Sequence, residues 1–134
     1  MSEGLDHVGV AVKNLDVAIG LWRDVLGMKL EAVHTAKERQ LKIAFLSAGG
    51  ETRLELLEPT GEGSLVSDFI EKHGEGIHHI AIKVRNLEQA LNQLRAKGVK
   101  MLDPAPRVGV GGVRIAFARL TEEGNVLVEL RETK

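Results

Sequence analysis

The chain has 134 residues, 43% of them hydrophobic, enough for one compact core and short for several independent domains. A formal net charge of −1 with both signs interspersed excludes the basic surface of a general nucleic-acid binder. With no Cys there is no disulfide frame, thiolate nucleophile or zinc–cysteine knuckle, and three Phe, one Trp and no Tyr leave aromatic stacking on bases or sugars a minor theme.

The opening MSEGLDHVGVAV lacks a basic flank and a long apolar run. Neither a secretory leader nor a membrane span is expected, and a soluble cytoplasmic protein is the default. Period-two alternation predicts a strand over about Leu5–Val12. Asn14 or Asp16 is placed to cap a helix. Val17, Leu21 and Val25, with Ala18, Trp22 and Leu26 beside them, form its expected apolar side, and Gly27 its stop. Strands follow over Lys29–Thr35, Leu41–Ser47 and Arg53–Leu57, with Ala48 to Glu51 as a turn. Pro59 to Gly63 reads as a linker. Ser64 then caps a short helix to about Lys72, with Leu65, Phe69 and Ile70 inward. A strand restarts at Ile77, a helix covers Leu87–Lys97 and ends at Gly98, and strands fit Val99–Leu102, Val113–Leu120 and Val126–Arg131.

This order is a repetition. HVGVAVKNLDVA at 7–18 overlays HIAIKVRNLEQA at 79–90 without a gap, a shift of 72 that sets His7 on His79. Leu54-Glu55-Leu56 overlays Val128-Glu129-Leu130 with a shift of 74. Two matches in the same order point to a duplicated half. The period is too long for a solenoid. The expected fold is α+β: two tandem βαβββ modules forming one curved mixed sheet in a single domain over 1–134. Module 1 spans about 4–60, a linker helix about 64–73, and module 2 about 76–132.

Alternation also assigns faces. Val8, Val10 and Val12 share one face of the first strand, and His7, Gly9 and Ala11 the other; Ile80, Ile82 and Val84 oppose His79, Ala81 and Lys83 in the same way. The branched residues should face the helix. The histidine faces carry small residues and leave room. Glu55 and Glu129 each oppose their apolar neighbours. A pseudo-two-fold axis between the modules would bring His7, Glu55, His79 and Glu129 to one point, with positions left for water or substrate. Imidazole with carboxylate suits cobalt, nickel, zinc, manganese or iron, and the lack of thiolates argues against a structural zinc. Taken singly, a His at a strand start or a Glu in a strand is more often an ordinary surface residue. The match of both pairs across the repeat lifts the set above that reading. His34 and His73 have no repeat partner and are assigned to the surface. His78 overlays Asp6, opposes His79, and is expected to pack or hydrogen-bond outside the ligand set.

DHVGVAV at the start, LELLEP at 54–59, GIHHIAIKV at 76–84, GVGGVRIAF at 109–117 and NVLVEL at 125–130 together resemble the vicinal oxygen chelate superfamily, along nearly the whole chain. Within it the chain is most similar to the methylmalonyl-CoA epimerase family. The resemblance implies that His7, Glu55, His79 and Glu129 are metal ligands, with cobalt the usual ion and zinc, nickel or manganese as alternatives. It implies interconversion of (2R)- and (2S)-methylmalonyl-CoA by C2 proton transfer through a metal-stabilised enolate. Family members use a glutamate on a strand of the first module as one base. The matching stretch here, Leu41 to Phe45, has no carboxylate. Glu129 is then the candidate for one base while also a ligand, and Glu55, a metal-bound water or Lys42 for the other. The loop Val108–Val113 reads as a hairpin turn; its glycines, Gly111 and Gly112 above all, equally let backbone N–H groups approach an anionic group of the substrate. Lys37, Arg39 and Arg107 are candidates for the CoA nucleotide. A homodimer is implied by the resemblance alone. A glyoxalase I-like lactoylglutathione lyase, with the same ligand set, and a non-catalytic small-molecule binder stand as alternatives.

Overall fold

The computed structural model describes residues 2–121 and 127–133. The chain divides into two compact units, one formed by His7–His78 and the other by Met1–Asp6 with His79–Lys134.

In the His7–His78 unit, strand β1 (Ser2–Ala11) supplies the residues from His7 onward, and helix α1 (Leu15–Ile19) runs directly into a π-helical stretch over Gly20–Val25. Strands β2 (Lys29–Ala36), β3 (Leu41–Ser47) and β4 (Arg53–Pro59) follow, then helix α2 (Leu65–His73). The strand order is β2-β3-β4-β1, with β4 parallel to β1 and the other pairs antiparallel. In the other unit, β5 (Gly76–Val84) from His79 onward, α3 (Leu87–Ala96), β6 (Lys100–Met101), β7 (Arg107–Val108), β8 (Arg114–Arg119) and β9 (Leu127–Glu132) repeat the plan. The order is β6-β8-β9-β5, with β9 parallel to β5 and β7 paired to β8. The α+β class and the βαβββ order expected from the repeat are what the structure shows. The predicted start of the last strand at Val126 lies outside the described residues, as do Asn125 and Val126 of the NVLVEL motif.

The cores are equivalent. Leu15, Ala18 and Ile19 of α1 bury against Ala44, Leu46, Leu54 and Leu56, with Val8, Val10 and Trp22 packed at the edge. Leu87, Ala90 and Leu91 of α3 bury against Ala116, Val128 and Leu130, with Ile82 and Leu94 at the edge. Both helices use the i, i+3, i+4, i+7 face that a 3.6-residue turn presents. The branched residues of β1 and β5 thus face the helices, as alternation predicted.

Of the two cap candidates, Asn14 is the one used: its Oδ1 accepts from the Val17 N–H at 3.1 Å, and Asn86 Oδ1 does the same for Gln89 at 3.0 Å. A second matched device was not anticipated. The Leu15 N–H donates to Glu58 Oε2 at 2.8 Å and the Leu87 N–H to Glu132 Oε2 at 2.9 Å. A carboxylate from the end of the last strand therefore occupies the positive end of each helix.

Two expectations are corrected. Val17, Leu21 and Val25 do not form the buried side of α1; they are exposed, Val25 by 73%. Leu15, Ala18 and Ile19 set the buried stripe of α1, so Val17 starts on the outer side, and Leu21 and Val25, each about one turn further on, continue that side into the π-helical stretch, where Leu26 N–H reaches Leu21 O at 3.0 Å. Leu65 is also exposed; Val66 takes its expected place inside, because Ser64 caps the helix and its side chain accepts from the Val66 and Ser67 N–H groups. No helix among the described residues is long and apolar enough to cross a membrane.

Candidate functional site

Parallel pairing sets Glu55 beside Gly9 on β4 and β1, and Glu129 beside Ala81 on β9 and β5. A residue with little or no side chain beside each glutamate leaves space for the carboxylate to reach the histidine two positions back on the neighbouring strand. His7 Nδ1 lies 3.0 Å from Glu55 Oε2, and His79 Nε2 lies 3.4 Å from Glu129 Oε1. Each unit thus carries one His–Glu pair at its repeat-matched position.

Both pairs are buried. Among the described residues, the buried polar or charged side chains are these four and Ser64, the cap of α2. Burying a carboxylate and an imidazole is costly unless they are partnered. Nearly all of the buried polarity among the described residues thus lies at two equivalent points. The donors are imidazole nitrogen and carboxylate oxygen without sulfur, a set suited to first-row divalent ions. Within each pair the ligand atoms lie inside 4.8 Å of one another, near enough to touch one ion. The residues fit a divalent metal.

Phenylalanines that the sequence reading passed over stand across from both glutamates. Phe45 is the register partner of Glu55, and Phe117 of Glu129. The Phe117 ring meets His79 edge to face, with centroids 5.7 Å apart and planes at 84°. Guanidinium groups lie over both rings, Arg53 at 5.9 Å from the Phe45 centroid and Arg107 at 5.3 Å from that of Phe117. The signal was present: Ile43-Ala44-Phe45 recurs as Ile115-Ala116-Phe117 at the same shift of 72. Glu58 and Glu132 likewise keep the shift of 74 seen for Glu55 and Glu129.

Other candidates are placed as follows. Gly111 and Gly112 lie in a 3-10 turn over Val110–Gly112, with φ of +82° and +76°, a backbone region open to glycine. Arg107 is drawn to Asp103, 3.4 Å away, as well as to Phe117. Lys37 is exposed and Arg39 half-buried on a turn after β2, and Lys42 is exposed near the start of β3, on the face opposite Phe45. His78 packs against Phe69, with ring centroids 5.2 Å apart, and His34 and His73 are exposed.

Residues 6–117 match the model of the glyoxalase/bleomycin resistance protein/dioxygenase superfamily. "Uncharacterized protein YqjC" of Bacillus subtilis (strain 168) is 40% identical over 97% of this chain and 92% of its own length. The mitochondrial methylmalonyl-CoA epimerase of Mus musculus is 35% identical over 96% of this chain and 72% of its own. A solved structure of Streptomyces coelicolor methylmalonyl-CoA epimerase in complex with 2-nitronate-propionyl-CoA superposes with a TM-score of 0.88 at 34% identity, covering 99% of each chain. The matched family model, the paired βαβββ units and the kinship with epimerases agree, and the chain belongs to the glyoxalase/bleomycin resistance protein/dioxygenase superfamily.

Proposed function

We propose that this protein is a metal-dependent epimerase that interconverts (2R)- and (2S)-methylmalonyl-CoA. The observation that carries the chemistry is the burial of one His–Glu pair in each unit at repeat-matched positions. The substrate comes from kinship with proteins named methylmalonyl-CoA epimerase. In this reading the whole of 1–134 serves as one vicinal oxygen chelate domain, in a cytoplasmic homodimer.

His7, Glu55, His79 and Glu129 would hold one divalent ion, cobalt by family resemblance, which would supply Lewis-acid stabilisation of the negative charge developing at C2. The C2 proton lies between a thioester and a carboxylate and is weakly acidic. Inversion requires it to leave from one face and return to the other, so two acid/base groups are needed. Glu129 takes one face and Glu55 the other. Phe117 shields His79 from water, and the glycine turn at Gly111 and Gly112 meets an anionic group of the substrate, with the Gly111 N–H as its donor while the Gly112 N–H closes the turn on Gly109 O.

Cobalt-loaded protein incubated with (2S)-methylmalonyl-CoA in deuterated water is expected to place deuterium at C2. Absence of exchange with fully metallated protein would overturn this function. Formation of lactoylglutathione from methylglyoxal and glutathione, without that exchange, would move the reading to a lyase.

A further inference from the structure

Arg131 lies two residues beyond Glu129 on β9 and so shares its face. Its guanidinium has three partners. Nη1 is 3.9 Å from Glu129 Oε2, Nε is 3.6 Å from Asp6 Oδ2, and Nη2 donates to the Val110 carbonyl at 3.0 Å. The side chains of Arg131 and Asp6 are each only 16% exposed, and that of Glu129 6%. One cation thus stands between two largely buried carboxylates and also grips the glycine turn. The turn closes on itself through Gly112 N–H to Gly109 O at 3.1 Å and Gly109 N–H to Val113 O at 2.7 Å. The Val110 carbonyl is left for Arg131.

The repeat sharpens the point. At the shift of 74 that relates Glu129 to Glu55, Arg131 falls on Leu57, which is 3% exposed in the core of its unit. The guanidinium is an addition to the unit that carries the glycine turn. A planar fork of five N–H donors can address three acceptors in different directions; an ammonium at the end of a lysine cannot do so with the same reach.

We infer that Arg131 is the positioning residue of this site, holding the glycine turn and the second carboxylate oxygen of Glu129 in one arrangement prepared for an anionic substrate. The assignment of Glu129 to proton transfer rests on the proposed function; the clamp on the turn does not.

The test compares Arg131→Met and Arg131→Lys with the unsubstituted chain for cobalt content, kcat and KM with methylmalonyl-CoA, and amide hydrogen exchange at Gly111 and Gly112. Loss of a group that orients a ligand typically costs on the order of 10- to 100-fold. Arg131→Met is expected to keep its cobalt, lose kcat by about that factor, raise KM severalfold, and exchange the turn amides at least about tenfold faster. Arg131→Lys is expected to keep its fold and cobalt yet recover only part of kcat. Unchanged kcat and unchanged turn exchange in Arg131→Met would overturn the inference, as would a lower Tm with kcat per folded molecule intact. Should Arg131→Met not fold, Arg131→Lys decides: its wild-type kcat and turn exchange would overturn the inference. If the unsubstituted chain does not epimerise, the proposed function fails, while faster turn exchange in Arg131→Met still supports the clamp.

Discussion

His78 and His79 are neighbours in sequence and separate in role. His79 is buried against Glu129 and Phe117, whereas His78 packs on Phe69 in the other unit. His79→Ala is expected to abolish divalent-metal retention and turnover, and His78→Ala to leave most metal binding intact, as measured by metal analysis after gel filtration. Equal loss from both would show the ligand assignment to be wrong. The His–Glu pairs were legible because strand alternation gives the face and the repeat singles out which residues matter. Arg131 was not legible, because nothing local in LVELRE tells that its guanidinium meets a carbonyl 21 positions earlier. Phe45 and Phe117 lay in between: their recurrence was readable, but their place opposite the glutamates depends on antiparallel register.

The helices show how local spacing and packing divide the outcome. Ile19→Ala is expected to destabilise the protein by about 2–4 kcal/mol, since it empties a packed site. Leu21→Gln should change stability by less than about 0.5 kcal/mol. Urea unfolding measures both, and a large loss for Leu21→Gln would contradict the observed face. The repeat held the answer in α3 and its C-terminal cap: the counterparts of Val17, Leu21 and Val25 are Gln89, Gln93 and Lys97, polar residues that no core would choose. At the start of α3, the Arg114 guanidinium, and after it the Leu87 N–H, holds the Glu132 carboxyl below its usual range. The folded pKa is therefore lower than the unfolded one. The stability it contributes is fully present above the ordinary carboxylate pKa and is lost as pH falls through the depressed value. Glu132→Gln should cost about 1 kcal/mol at neutral pH, and the gap to the unsubstituted chain should narrow in urea titrations as pH falls below the ordinary carboxylate range. A gap that stays constant with pH would refute the ionic cap.

At the scale of the whole molecule, an ion held by the proposed ligands binds the folded chain and not the unfolded one, and so should stabilise the fold. Cobalt at about one hundred times its Kd is expected to add about 2.7 kcal/mol to unfolding stability, reversed by a chelator and absent in a His7→Ala, His79→Ala double variant. Differential scanning calorimetry checks this, and an ion that leaves Tm unchanged would count against the proposed ligands.

The sequence by itself determined the duplicated βαβββ plan, the faces of β1 and β5, and the matched histidines and glutamates. These follow from periodicity and self-similarity, which are local or internal to the chain. Only the tertiary structure decided which stripe of α1 is buried, that Glu58 and Glu132 reach back to the helix starts, and that Arg131 ties the glycine turn to Glu129. Each of these joins residues far apart in sequence, and strand pairing and register, rather than local preference, choose such partners.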